Sequence, residues 1–257
     1  MNLELFAWIA PTVGVIIFFS LEKAYRKGTE NVNGRYKVNI SMGAFAIITN
    51  LILAAIFLIP LVMLIAPLQI FSISQIKIPK SGNFILSFLF IDFIQYLNHR
   101  IHHKIPFLWR LHRVHHSDRN VDSLTTWLHH PLEITSTFII VITLFVIFDL
   151  PVIVMIIYST VFGIHSAFTH FNMLIPEKID KYLSRIMVTP NAHRVHHSLD
   201  MNEGNSNYGQ LFLLWDWLFG TYIHRSNKEL NNMIYGIDNT QSPQKTNIRQ
   251  YLINPFQ

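Results

Sequence analysis

The chain has 257 residues, 51% of them hydrophobic and only 14% charged, with a mean hydropathy of +0.31, a balance too apolar for an ordinary soluble domain. It contains no cysteine, which excludes disulfides, thiolate metal sites, iron–sulfur clusters and cysteine nucleophiles. The formal charge of +5 comes from basic residues beside apolar runs, the pattern of membrane-flanking loops rather than of a nucleic-acid surface, so no nucleic-acid partner is expected.

Residues 5–21 are a nearly uncharged run about long enough to span a bilayer. The run lacks a basic start and a small-residue cleavage site and reads as an anchor rather than a signal peptide. Lys23, Arg26, Lys27, Arg35 and Lys37 follow it. Residues 40–65 form a second, longer apolar segment, 67–82 a polar connection, and 83–97 a third run that carries Asp92 and leads into His99. From His99 to His130 the character changes to histidine, arginine and aspartate, interleaved with Trp109 and Trp127. Residues 133–150 and 151–168 are two further apolar runs, and Asp149 with Pro151 between them predicts a helical hairpin. Beyond Pro176 the chain is polar or amphipathic.

The pattern predicts an all-α membrane protein of about five transmembrane or membrane-embedded helices with a cytoplasmic helical cap carrying the histidine-rich segments. It reads as one integral membrane domain over 1–257, with an anchor and cytoplasmic loop over 1–34 and a polar tail over 226–257. If the basic segment 23–37 is cytoplasmic, the following apolar runs cross in pairs and both histidine-rich segments meet on the cytoplasmic side.

One six-residue stretch occurs twice, as His112-Arg-Val-His-His-Ser117 and His193-Arg-Val-His-His-Ser198. Positions i, i+3 and i+4 share a helical face, and imidazole is the commonest metal-ligating side chain, so the two triplets predict two halves of one metal site. His99 and His103 form a further i, i+4 pair, and His170 lies at the returning end of the hairpin. Around nine ligands are too many for one ion, which takes about four to six; they suit two ions held close together. A sulfur-free imidazole set suits zinc, copper, iron or nickel. Neither the Glu-x-x-His pairs of carboxylate di-iron bundles nor the HExxH of zinc proteases is present, which leaves the metal open.

These boxes, embedded among paired membrane segments, resemble the sterol desaturase / fatty acid hydroxylase superfamily of membrane histidine-box di-iron oxidases. Further matching segments are Asp92-Phe-Ile-Gln-Tyr96, His130-Pro-Leu-Glu133, Thr189-Pro190, Asn207-Tyr208-Gly209 and Trp215-Asp-Trp-Leu-Phe-Gly-Thr221. The resemblance covers residues 35–225, which it marks as the catalytic region. It implies two iron ions as cofactor, with zinc acceptable to the same ligands on purification, and O₂ as co-substrate. The implied reaction is hydroxylation or desaturation at an unactivated C–H bond of a lipid such as a sterol, fatty acyl chain or ether lipid. His99, His103, His112, His115, His116, His193, His196 and His197 match the superfamily's ligand boxes, and His170 its hairpin histidine. His102, i+3 from His99, offers an alternative to His103. His165, five residues from His170, falls off that face and is read as structural.

Metal-bound histidines usually give their second ring N–H to a carboxylate or carbonyl. Asp92 sits in an apolar run, where an acid is costly and functional by default. It is seven residues before His99, with Tyr96 between them. Asp92, Tyr96 and Glu133 are therefore the candidate catalytic residues beside the ligands, with Asp216 a further acid of this kind. His129, His130 and His224 read as polar interfacial residues, His130 being the one favoured for function because it precedes Glu133. Trp215, Trp217, Phe219 and Tyr222 predict an interfacial aromatic belt.

No dinucleotide fingerprint or haem-attachment motif is present, so electrons are expected from a separate donor of cytochrome b5, ferredoxin or reductase type. A basic surface with Arg110, Arg113 and Arg194 is the expected docking face. The other expected partners are the lipid substrate and the bilayer. A membrane metal-binding or transport protein would hold its ligands near the midplane on interrupted helices, whereas here they cluster past the ends of the apolar runs. A zinc hydrolase would need open coordination positions and a general base, which a nine-histidine site does not offer. The expected setting is a multi-pass protein of the bacterial cytoplasmic membrane with its site facing the cytoplasm, or of the endoplasmic reticulum in a eukaryotic cell.

Overall fold

Apolar runs in hydrocarbon have no water to satisfy their backbone and so close their own hydrogen bonds as helices. The computed structural model describes residues 3–25, 34–238 and 247–257, and among these every regular element is helical. Arg26 and Lys27 of the basic stretch lie outside the described residues. The long helices are α1 (Leu3–Tyr25), α2 (Arg35–Ile65), α3 (Lys80–Lys104), α5 (Pro131–Ile147) and α6 (Val152–Thr169), with the short α4 (Pro106–His116) between α3 and α5.

Two of them are long and apolar enough to cross a membrane, α2 with its 3₁₀ extension to Leu68, and α6; α5 is apolar but shorter. Along α2, Ile59 and Met63 are each 71% exposed and Leu64 73%. A continuous apolar face of this kind needs cover from lipid or protein.

α1 packs along α6, α2 along α5, and α3 meets α4, α5 and α6. The α1–α6 approach depends on Gly163, where a Cβ would lie 2.6 Å from the Pro11 ring. α5 and α6 follow one another through a turn at Asp149, in the left-handed region at φ 45°, whose carboxylate accepts from Ser72 Oγ at 2.6 Å, but they lie against α2 and α1 rather than along each other, which corrects the predicted hairpin. Ile91 of α3, Val154 and Tyr158 of α6, and Leu150 and Leu211 form one buried core.

Helix α2 starts five residues before its apolar run because Arg35 is buried rather than solvated. It pairs with Asp118 at 2.6 Å and with Asp122, and Asn39 and Thr125 also donate to Asp118. Glu22 of α1 accepts from the Ser123 backbone and hydroxyl and from Asn172 N. These buried acids, none singled out by the sequence patterns, fasten α1 and α2 to the loops that follow α4 and α6.

Asp92 corrects a sequence expectation. Seven helical residues rise about 10 Å, beyond an aspartate's reach, and the carboxylate bonds no histidine. Fully buried, it accepts from Tyr158 Oη at 2.7 Å, Leu211 N at 3.1 Å, Phe212 N at 3.3 Å and Trp215 Nε1 at 2.8 Å. It thus ties α3 to α6 and to the 207–216 segment. Asp92→Ala leaves those buried donors unmatched and is expected to cost on the order of 3–5 kcal/mol. The check is a lowered thermal midpoint with earlier proteolysis near 207–221, Asp92→Asn falling between it and the native protein.

The predicted aromatic belt is divided. Trp215 and Phe219 pack on Phe93 at centroid distances of 4.9 and 5.9 Å, whereas Trp217, tilted against Tyr222, is 52% exposed.

Candidate metal centre

Both histidine boxes close short helices begun by proline. α4 has Pro106 in its first turn and ends at His116. After α7 (Glu177–Leu183), α8 (Pro190–His196) begins at Pro190, capped by Thr189 Oγ1 accepting from Ala192 N at 3.2 Å, and His197 caps its end. His99 and His103 come from the last two turns of α3, and His170 caps α6. Proline and the cap fix where each helix starts, so the box falls in its last turn.

The structure gathers the nine predicted histidines into two clusters, His99, His103, His112, His116 and His196 in one, and His115, His170, His193 and His197 in the other. Within each, the available ligand atoms all lie within 4.8 Å of one another. The boxes are shared reciprocally. The first sends its i and i+4 histidines to the five-membered cluster and its i+3 to the four-membered one; the second does the reverse. Each triplet therefore serves both clusters rather than one half-site.

The ring nitrogens decide what the clusters can do. Nδ1 donates to the Tyr208 carbonyl from His99 (2.9 Å), to Glu133 Oε1 from His112 (2.7 Å), to the Ser166 carbonyl from His170 (2.7 Å) and to the Ser206 carbonyl from His196 (2.7 Å). His103 Nδ1 faces Asn205 Oδ1 at 3.2 Å. With the proton on Nδ1, each Nε2 holds a lone pair. Yet His99 Nε2 faces His112 Nε2 at 3.1 Å, and Nε2 of His103 and His196 is buried without a partner. Two lone pairs at that distance repel unless they share a cation. Nitrogens each about 2.1 Å from one ion, at near right angles, stand about 3.0 Å apart. The contacts of 3.0 Å between His170 and His193 and 3.2 Å between His193 and His197 repeat that spacing in the second cluster. Burial holds the rings of His115, His116, His193, His196 and His197 well below their usual 6.5, and His170 down to about 3. All are neutral at physiological pH, as ligands must be. The residues present fit two divalent metal ions.

Glu133 Oε1 accepts from His112 and also from His129 Nδ1 at 2.9 Å, and the His129 ring stacks on His115 at 4.2 Å. His129, not His130, therefore borders the site. His130 instead opens α5, accepting from Leu132 N at 3.2 Å and reaching the Leu252 carbonyl. The i, i+4 spacing of His129 and Glu133 was the signal available for this pair. Glu133→Gln removes the charge that orients His112, and metal affinity of the five-histidine cluster is expected to fall about 10- to 100-fold, read by competition with a chelating dye.

The other candidates lie outside the clusters. His102 is tied to the Asn98 carbonyl at 2.8 Å and faces Ser136 Oγ at 3.1 Å, leaving the α3 position in the cluster to His103. His165 joins neither cluster. Tyr96 bonds Thr221 and Arg100, and Asp216 accepts from Tyr208 N and Gly209 N at 2.8 and 2.7 Å, shaping the turn that presents the Tyr208 carbonyl to His99. The expected basic docking face is corrected as well. Arg194 is buried against Asn172 and the Tyr235 ring, and Arg113 holds the Asn254 carbonyl, because both side chains fold inward to close the box helices.

A cavity of about 130 Å³ lies beside the clusters between α3, α5 and α6, lined among others by His99, His112, His115, His170 and His193.

Residues 84–221 match the fatty acid hydroxylase family. The chain is 29% identical over 144 residues to the ornithine lipid hydroxylase OlsE of Rhizobium tropici, across 56% of this chain and 43% of that protein. It is 31% identical over 175 residues to the alkylglycerol monooxygenase of Xenopus tropicalis, across 65% of this chain and 36% of the relative. Against the alkylglycerol monooxygenase of Homo sapiens it is 30% identical over 166 residues, across 62% and 34%. These matches span under half the length of the relatives. No solved structure matches the chain.

Proposed function

The chain belongs to the fatty acid hydroxylase family, and from that premise we propose that it is a multi-pass membrane enzyme that hydroxylates an unactivated C–H bond of a lipid with O₂. The reaction is R–H + O₂ + 2 e⁻ + 2 H⁺ → R–OH + H₂O. Its electrons come from a separate donor of cytochrome b5, ferredoxin or reductase type. The observation that carries this reading is the pair of buried histidine clusters whose Nε2 atoms face one another at 3.0–3.2 Å. Two iron ions held by those rings would supply the O₂ activation. The relatives named for ornithine lipid and alkylglycerol oxidation support a lipid as substrate, taken from the bilayer by a site just past the ends of the membrane helices.

The remaining work falls to this chain's own side chains. Glu133 and the carbonyls of Tyr208, Ser166 and Ser206 fix the rings of His112, His99, His170 and His196. Burial excludes water from both clusters, and the cavity admits one segment of substrate to their edge. On this reading α1, α2, α3, α5 and α6 are the membrane-embedded segments and the box helices form the cytoplasmic cap.

The test is iron content of detergent-purified protein together with O₂ uptake on a membrane lipid extract and a chemical reductant. About two irons per chain with lipid-dependent uptake and an oxygenated lipid by mass spectrometry is the expected result. Iron-reconstituted protein that consumes no O₂ with any lipid would overturn it.

A further inference from the structure

Beyond Pro176 the chain has no apolar run long enough to span a bilayer, yet it carries an open apolar face. On α7 and the turn after it, Ile179, Tyr182 and Ile186 are exposed, Tyr182 at 66% and Ile186 at 65%. The short helix Leu214–Leu218 adds Leu214, Trp217 and Leu218, the last at 66%. Hydrogen bonds join the two elements into one surface. Trp217 Nε1 donates to the Ser184 carbonyl at 3.2 Å, Tyr222 Oη to Ser184 Oγ at 3.4 Å, and Leu213 N to the Ile186 carbonyl at 3.2 Å. Ser184 is buried, so these bonds turn the indole N–H and the phenol inward and leave ring carbon outward. Lys178, Lys181 and Arg185, all exposed, alternate with the apolar residues of α7 and its turn.

The level of this face along α3 decides what covers it. Phe88 and Phe93 precede His99 by eleven and six residues, about 16 and 9 Å along the helix. Phe212 packs on Phe88 at a centroid distance of 6.4 Å, and Trp215 packs on Phe93 at 4.9 Å. The 212–219 segment therefore lies beside the apolar run of α3 rather than past its end. A soluble partner would have to displace lipid there, and a second copy on a two-fold axis would bring two sets of three cations together. Exposed aromatic and aliphatic side chains edged by Lys and Arg suit the boundary between acyl chains and anionic headgroups. We infer that α7 and the 212–219 segment form a bilayer-docking face, its apolar side chains entering the acyl region beside α3 while Lys178, Lys181 and Arg185 hold anionic lipid headgroups. The depth of the face rests on the membrane reading of α3; the surface itself does not. Val188 N donates to the Leu211 carbonyl at 2.9 Å, so the docked segment also supports the start of α8 and with it the second histidine box.

The test reconstitutes the full-length protein in vesicles of equal parts phosphatidylcholine and phosphatidylglycerol, with bromine on the acyl chains of one lipid or the other. Trp217 fluorescence is taken as the difference between the native protein and Trp217→Phe. Ile59→Trp, on the open face of α2, reports separately whether the long helices enter the bilayer. Trp217 is expected to be quenched by brominated lipid and shielded from aqueous acrylamide. Bromine on phosphatidylglycerol is expected to quench it more than bromine on phosphatidylcholine, with an enrichment of about fivefold for each cation in contact. Neutralising all three cations (Lys178→Gln, Lys181→Gln and Arg185→Gln together) is expected to equalise the two labels. Trp217 reached by acrylamide but not by lipid, or by neither as under a second copy, overturns the inference. Equal quenching by the two labels in the native protein, or an excess that survives the triple variant, overturns the headgroup half. If Trp217 meets lipid while Ile59→Trp meets only water, the docking face stands and the membrane-spanning reading falls; the reverse result sinks the docking face alone.

Discussion

His197→Ala is expected to lose one of its two metal ions at a chelator concentration that leaves the native protein loaded, and to reduce lipid-dependent O₂ uptake to background. The expectation follows from the unequal clusters. His197 belongs to the four-histidine set, and its loss leaves His115, His170 and His193, three ligands in a buried pocket with no carboxylate among them. His103 belongs to the five-histidine set, and its loss leaves four, enough to keep an ion with weaker affinity. His103→Ala should therefore retain about two ions at saturating metal while losing part of its activity. Since the two ions act as a unit, the double variant should be no less active than His197→Ala alone. Zinc-loaded protein reports the stoichiometry independently of turnover. Equal metal loss from both variants would show that the rings are partitioned differently between the two ions.

That partition was not legible in the sequence. Helical spacing places i, i+3 and i+4 on one broad face, but it does not say that the face straddles two clusters. The outcome depends on α4 and α8 meeting so that the i+3 ring of each reaches across to the other's set. The choice of His103 over His102 was hidden in the same way, since both lie one turn after His99 and only the Asn98 carbonyl and Ser136 draw His102 aside. Residue types and their spacing did mark the two triplets, whose rings the fold brings together, because imidazoles repeated at helical intervals share a face. Acids were harder. Asp92 stood out as a charge in an apolar run, and the fold uses it to hold backbone amides and Trp215. Glu22, Asp118 and Asp122 carried no mark of this kind, since their partners Ser123, Asn172 and Arg35 are distant in the chain or lie in loops without periodicity.

The burial that makes these rings good ligands also makes the fold around them sensitive to acid. His115, His116, His170, His193, His196 and His197 are each held below the ordinary histidine pKa by burial. Below about pH 6.5 the unfolded chain takes up protons that the folded chain refuses, so stability is complete above that pH and is lost as the pH falls. Each ring contributes up to about 1.4 kcal/mol per pH unit, and several titrate in the same window. Bound metal moves the onset lower, because it binds only neutral imidazole and each proton must then compete with an ion. The metal-free protein is expected to keep a constant thermal midpoint from about pH 8 to 7 and to lose it steeply between about pH 6.5 and 5. The metal-loaded protein should follow the same course displaced to lower pH, releasing its ions as it does. Thermal melts with and without chelator, read beside metal release, check both curves. A midpoint in the metal-free protein that holds steady down to pH 5 would mean that the folded rings take up protons as readily as those of the unfolded chain, so that burial does not keep them neutral for a metal.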